Sequence, residues 1–339
     1  EIAAGRTCGL NHSVYFAVAS VGLVTFVMEK TVAGRRFEAI GASPLAAQAE
    51  YPEQPVEFVI PFPPGDLEDV LTRMIAEDFQ AEYGVPAAVV NRPGGGGGPF
   101  PGAVEVATAP DDGYTIGSFV PAVPLIGHEI DIPELTPAQF DPIGIFLTYP
   151  FVIAASGDAP YSTMEELAAY AAENDVFLGH FGDVLTPTQV TKALAANMGF
   201  EWGGDAPFDS LDCNTLASGD ADVINTTLQL ILPCLDDVNV LVSITGERIS
   251  LVPDTPAIGE VDESLNISLW NGLFVGTDTP AEAREAIAAV AQQAVMSERA
   301  QALAAETGAL VYWLDAEESA AVIEADRETL GAISAALGE

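Results

Sequence analysis

From Tyr51 onward, apolar runs of strand length alternate with stretches of helical periodicity. Val56–Ile60 is a short β-branched run bounded by proline, read as a buried strand. Pro61-Phe62-Pro63-Pro64-Gly65 breaks it, and Leu67, Val70, Leu71, Met74 and Ile75 then recur at helical spacing. Asp66 is placed as the N-cap of that helix, with Asp69 three residues on and Gly84 as its stop. The same rhythm predicts strands at 87–90, 114–119, 176–179, 222–225, 238–244 and 310–314. It predicts helices near 103–109, 163–173, 188–198, 281–296 and 297–306, and a last helix capped by Asp315 and Glu318. Alternation of this kind specifies an α/β fold with parallel strands and crossover helices.

Two extended runs are long enough to pass between domains. Ile143–Ala155, broken at Pro150, is the outward crossing and Ile267–Val275 the return. Two crossings make the first domain discontinuous: 50–150 with 271–339 form one lobe, 151–270 the other, and 1–49 a leader. Within that leader, Ala47-Gln48-Ala49 before Glu50 is a small-x-small cleavage pattern, so the chain is expected to be exported and cut near Ala49. The apolar run Val14–Val27 is too short to span a bilayer, which takes about 20 residues. Met28 is a candidate start; the alternative is one long leader with 14–27 as its apolar part.

Composition narrows the partners. Eleven Lys and Arg face fifty Asp and Glu, a net charge of −39, which repels nucleic acid and anionic membranes. Such a surface suits high salt, where screening weakens self-repulsion; attraction of a cationic ligand is the other reading. Of three cysteines, Cys213 and Cys234 remain after the leader. In an oxidising compartment they can form a disulfide; otherwise they are ordinary buried thiols.

Candidate chemistry sits on two strand-to-helix loops. In Phe62, Pro63, Pro64, Gly65 and Asp66, a turn into a helix N-terminus offers N–H donors and the positive dipole end to a carboxylate or phosphate; a plain proline-stiffened turn reads equally well. The second loop, Gly179 to Thr188, carries His180, Phe181, Gly182, Thr186 and Thr188, with an imidazole able to titrate near neutrality. Asn225 and Thr226 after a short strand add neutral donors. Gly94–Gly98 lacks both the Lys-Ser/Thr of a P-loop and a GxGxxG unit, so no nucleotide cofactor is expected. There is no GxSxG and no HExxH, and three cysteines with three histidines give no zinc spacing; neither an enzyme nor a metal site is predicted.

An ordered series of segments then resembles one family. Tyr51-Pro52-Glu53-Gln54-Pro55-Val56 with Val59-Ile60-Pro61-Phe62, then Gly65, Asp69 and Arg73, then Asn91-Arg92-Pro93-Gly94 open it. Pro110-Asp111-Asp112-Gly113-Tyr114-Thr115, Leu216 through Gly219 to Asp222, Arg248 with Val252-Pro253-Asp254-Thr255-Pro256, and Trp270-Asn271-Gly272-Leu273 complete it. The chain resembles the substrate-binding proteins of tripartite tricarboxylate transporters, the Bug receptors. The resemblance implies a type II periplasmic-binding-protein fold, two lobes joined by crossing strands around a ligand cleft. It also implies a monomeric periplasmic receptor that grips a small organic carboxylate through the two loops and delivers it to membrane permease subunits. A sensor presenting the liganded protein to a signalling partner is the alternative; an enzyme on a related scaffold is the remote one. Two positions depart from the family pattern. Asp66 stands where a second turn glycine is usual, and the second loop is not small and Gly/Ser-rich. Asp66 either caps its helix or selects a ligand with less negative charge.

Overall fold

The computed structural model describes residues 6–7, 10–11, 51–94, 98–129, 132–136 and 138–338. The chain divides into Glu1–Glu50 and Tyr51–Glu339. In the first unit Arg6–Thr7 pairs antiparallel with Leu10–Asn11. The expected apolar run, the Met28 start and the cleavage pattern at Ala49 lie outside the described residues.

The second unit holds two sheets. One has six strands: β1 (Val56–Ile60), β2 (Ala87–Asn91), β3 (Thr115–Phe119), β4 (Phe140–Thr148), β10 (Trp270–Gly276) and β11 (Leu310–Leu314), in the order β11-β4-β10-β3-β1-β2. The other has five: β5 (Phe151–Ser156), β6 (Phe177–His180), β7 (Gly204–Pro207), β8 (Val223–Thr227) and β9 (Val238–Ser243), in the order β9-β5-β8-β6-β7. In each sheet a parallel βα portion (β2-β1-β3; β7-β6-β8) adjoins antiparallel strands.

The helices lie between these strands as the periodicity requires. They are α1 (Leu67–Tyr83), α2 (Phe100–Thr108), α3 (Ala122–Ile126), α4 (Met164–Ala171), α5 (Thr186–Asn197), α6 (Cys213–Ser218), α7 (Leu228–Ile231), α8 (Ile258–Val261), α9 (Ala281–Val295), α10 (Glu298–Thr307) and α11 (Ala316–Leu337). Sequence periodicity missed α3, α6, α7, α8 and β7, each of four to six residues and too short to show a period.

The period-2 rule is visible on the five-stranded sheet. On β5, Ile153 and Ala155 belong to the main core, whereas Val152 and Ala154 belong to a second cluster with Leu211, Ile224, Leu228 and Ile249. A sheet buried on both faces needs apolar residues at every position, which is why β5 reads as a continuous apolar run.

The outward crossing is where it was expected. β4 ends at Thr148, Tyr149-Pro150 makes the break, and β5 begins in the other sheet. The return differs from expectation: β10, most of the run assigned to it, lies wholly in the six-stranded sheet, and the chain has left the other sheet at Ser243. The passage back is the irregular stretch before Trp270, and it meets the outward one where the Tyr149 N–H donates to the Leu269 carbonyl at 2.8 Å. Helix α11 then packs on both β4 and α5, and the Trp270 indole donates to Asp326 of that helix at 2.6 Å.

Cys213 and Cys234 are joined in a disulfide, closing the segment that contains β8 and α7. The oxidised reading of that pair is the one realised. Many of the motif residues act as struts. The Tyr51 ring lies tilted against that of Tyr114, centroids 5.0 Å apart, and its hydroxyl donates to the Gly113 carbonyl at 2.6 Å, so the opening motif and the Asp-Gly-Tyr turn hold each other. Gly113 has φ +83°, and a Cβ there would stand 2.6 Å from Ala283 Cβ, so only glycine fits. Asp222 accepts the Phe177 N–H at 2.8 Å, and Arg248 grips Glu260 with two hydrogen bonds of 2.8 Å while donating to the Pro253 carbonyl.

Candidate functional site

The turn after β1 is built by one carboxylate. Asp69 accepts the Gly65 N–H at 2.9 Å, two hydrogen bonds from Arg73 at 2.9 Å each, and one from Asn91 Nδ2 at 2.9 Å. Asn91 also donates to the Phe62 carbonyl at 3.0 Å, tying the turn to the end of β2. Gly65 adopts φ +105°, which a side chain rarely tolerates. Burial by itself would raise the Asp69 pKa, but the Arg73, Asn91 and Gly65 hydrogen bonds outweigh it and hold the carboxyl below its ordinary value. Asp66 occupies the N-cap position as predicted but makes no side-chain cap; Asp69 accepts instead the N–H of Gly65, the residue before that position.

The buried face of α1 is rotated from the expected one. Glu68, Leu71, Thr72, Ile75, Ala76 and Phe79 are buried, while Val70 and Met74 are half-buried. Glu68 therefore sits on the apolar stripe, 2 % exposed. The Tyr149 hydroxyl stands beside its carboxyl and favours the charged form, and Oε1 has no partner. Behind it runs a buried polar chain. Asn271 Nδ2 donates to the Tyr149 hydroxyl at 3.2 Å, Ser118 Oγ donates to Asn271 Oδ1 at 2.7 Å, and Thr72 lies 3.0 Å from Ser118. Because the Ser118 proton is committed to Asn271, the Thr72 hydroxyl is the donor in the last pair. Loss of water on burial, with Asp66 adding like charge, pushes Glu68 up to about 8. Burial also raises Asp66, with Asp69 contributing.

A cleft of about 540 Å³ opens in front of Glu68, between the loops of the two sheets. One rim is Phe62, Pro63, Asp66 and Glu68 at the start of α1; the other is Phe181, Leu185 and Thr186 at the start of α5. Tyr149 and Phe151 from the crossing form its back, with the Phe151 and Phe181 rings edge to face at 6.3 Å. Asp209 and Ser210, Gln229 and Leu230 close the far side, on segments that the disulfide ties together. Among the described residues lining the cleft there is no Lys, Arg or His. Three lining side chains present buried polar atoms without a partner: Glu68 Oε1, Thr186 Oγ1 and Gln229 Oε1.

Of the residues singled out from sequence, the structure brings Phe62, Pro63, Asp66, Phe181 and Thr186 together on the cleft. Pro64, Gly65, Gly182 and Thr188 belong to the same loops but do not line it, and Thr188 is fully buried with an unpartnered hydroxyl. Asn225 and Thr226 face inward: Asn225 donates to Thr191 Oγ1 at 3.0 Å and Thr226 to the Leu211 carbonyl at 2.6 Å. His180 is also turned away, fully buried with Nε2 2.8 Å from Asp205. Buried at the end of a central strand, it braces β6 against β7. Burial would raise Asp205, but hydrogen bonds from Lys192 and His180 hold it below its ordinary value. His180, Asp183 and Asp205 have the donor types for a metal and lie within 4.8 Å of one another. The Lys192 ammonium already stands 2.8 Å from both aspartates and supplies the positive charge there.

Sequence reasoning missed Glu68, Tyr149 and Gln229. Glu68 alone left a signal, a carboxylate in register with Leu71, Thr72, Ile75 and Phe79. Tyr149 and Gln229 reach the cleft only through the crossing and the disulfide-closed segment.

The comparisons with known proteins agree with this geometry. Residues 71–338 match the family described as "Tripartite tricarboxylate transporter family receptor". A protein encoded in the tcbD-tcbE intergenic region of Pseudomonas sp. (strain P51) is 27 % identical over 263 residues, covering 72 % of this chain and 75 % of that one. The structure of R. palustris Rpa4515 with adipate superposes with a TM-score of 0.73 at 22 % identity, covering 85 % of this chain and 98 % of that one. MatC from Rhodopseudomonas palustris with bound malate gives 0.70 at 22 %, covering 84 % and 99 %. The two sheets, the double crossing and the cleft between their βα loops are thus the two-lobed receptor fold. With the family matched over most of its length, the chain belongs to the tripartite tricarboxylate transporter receptors, solute-binding proteins rather than enzymes.

Proposed function

We propose that this chain is a periplasmic receptor that captures a small organic carboxylate and delivers it to the permease subunits of a tripartite tricarboxylate-type transporter. Residues 1–49 direct export and are removed, 50–150 with 271–339 form one lobe, 151–270 form the other, and the monomer closes on its ligand about the paired crossings at Tyr149 and Leu269.

The observation that carries the reading is the N-terminus of α5. Leu185, at the N-cap, has no side-chain oxygen, and the first turn holds no acid. Thr186 lines the cleft with a buried, unpartnered hydroxyl. Helix dipole and hydroxyl together suit a carboxylate. The first loop suits it less, since Asp69 already holds the Gly65 N–H. Family neighbours bearing adipate and malate support the ligand class.

Differential contact in the closed state is what would drive closure. A thermal-shift screen against a carboxylate library tests the reading. At a hundredfold excess over Kd a ligand stabilises by about 2.7 kcal/mol, a clear rise in Tm. Thr186→Val should weaken the best hit about tenfold. A library in which no carboxylate raises Tm overturns it.

A further inference from the structure

The acids of the cleft are placed for a purpose that a dicarboxylate does not serve. One rim ends at the acid-free N-terminus of α5; the opposite rim presents Asp66 and Glu68, and Asp209 stands on the far wall. Among the described residues no cationic side chain lines the space to neutralise a second ligand carboxylate. Of the three orphaned polar atoms on the lining, Gln229 Oε1 is an acceptor and Glu68 Oε1 accepts once its carboxyl is ionised, so a positively charged hydrogen-bond donor satisfies both. The rings of Phe62, Tyr149, Phe151 and Phe181 line the same space, and a ring face turned toward a cation attracts it.

Building on the receptor reading above, we propose that the solute is a small zwitterion, its carboxylate at the start of α5 against Thr186 and its ammonium group against Glu68 and Asp66. The two ends of such a ligand touch opposite rims, so the ligand itself draws the lobes together. A buried carboxyl with one unpartnered oxygen is costly, and an ammonium relieves it. Burial first, then the charge of Asp66, holds the Glu68 carboxyl up at about 8; an ammonium placed against it favours the ionised form and draws that pKa down. The Thr72–Ser118–Asn271–Tyr149 chain fixes the carboxyl in place from behind.

The test is calorimetric titration of the purified protein and of Glu68→Gln with matched pairs of equal chain length. Succinate is set against γ-aminobutyrate, adipate against ε-aminocaproate, with hexylammonium as the amine lacking a carboxylate. The proposal expects each amino acid to bind at least tenfold tighter than its matched dicarboxylate. Glu68→Gln should abolish that preference and leave dicarboxylate binding equal or improved. Dicarboxylates binding tighter than the amino acids, unchanged or weakened in Glu68→Gln, overturn the zwitterion and leave the carboxylate receptor standing. Hexylammonium binding as tightly as ε-aminocaproate overturns both. Failure of every amino acid to bind at millimolar concentration overturns the zwitterion, and dicarboxylate binding then decides the receptor reading alone. The Tm of Glu68→Gln, measured alongside, reports that the variant is folded.

Discussion

Asp69 accepts the backbone N–H of Gly65 at 2.9 Å, four residues back along the chain, while Arg73, four residues ahead, holds the same carboxylate with two hydrogen bonds. One side chain thereby fixes a left-handed glycine, a helix start and, through Asn91, the end of β2. The turn motif is an internal brace for the first rim of the cleft.

Asp69→Ala removes partners from Gly65, Arg73 and Asn91 at once. Asp69 is buried but Arg73 is about half exposed, so water recovers part of the loss. Destabilisation of about 1–3 kcal/mol is expected, read by urea denaturation, with weaker ligand binding as the rim loosens. The folded pKa of Asp69 lies below its unfolded value. Its contribution is therefore complete above an unfolded pKa of about 3.9 and is lost as pH falls through the lower folded one. The wild-type and Asp69→Ala stabilities should converge in strong acid.

Glu68 has the opposite sign. Its folded pKa is about 8, against 4.5 when unperturbed. Across that window the folded state holds a proton that the unfolded state has released, so stability falls as pH rises from about 4.5 to about 8. Glu68→Gln, which keeps the shape and removes the ionisation, should raise Tm over wild type at pH values above that window and match it near the lower limit. Asp326, lifted to about 6 by burial and hydrogen-bonded to Trp270, adds a smaller slope of the same sign at lower pH. Thermal melts of both proteins across the range check this; a variant no more stable than wild type in alkali contradicts it.

The Cys213–Cys234 disulfide spans 21 residues of sequence. In the chain-entropy description a loop of that order contributes about 3 kcal/mol. The enclosed segment includes Gln229 and Leu230 of the cleft wall. Reduction, or a Cys213→Ser/Cys234→Ser double substitution, should lower Tm and weaken ligand binding together. Unchanged affinity in the double variant would confine the bond to stability.

With a net charge of −39, self-repulsion opposes the compact state. Raising salt from 0.1 M to 1 M shortens the screening length from about 10 Å to about 3 Å. Tm should climb steeply over that interval in NaCl. A flat response would remove the argument for a surface suited to high salt.

Local chemistry was enough to find most of the elements and the first crossing. β-Branched runs, capping residues and glycine stops act within a few neighbours, so Val56–Ile60, the Gly84 stop and the break at Pro150 were legible. Motif order was enough for the family, since each motif is a local strut: Gly65 with Asp69, Tyr51 with Gly113, Arg248 with Glu260. What the sequence could not decide was which way side chains face where distant segments meet. His180 looked available on a glycine-flanked loop, yet β7 brings Asp205 to it from 25 residues away. Glu68 looked like a surface acid in a first turn, yet the rotation of α1 against β2 and α9 buries it on the cleft beside Tyr149. Helix rotation and strand order are set by the sum of long-range packing contacts, and no short window of sequence contains that sum. Sequence alone therefore determined a two-lobed receptor; the tertiary structure decided that its cleft carries acids and aromatics opposite a bare helix N-terminus.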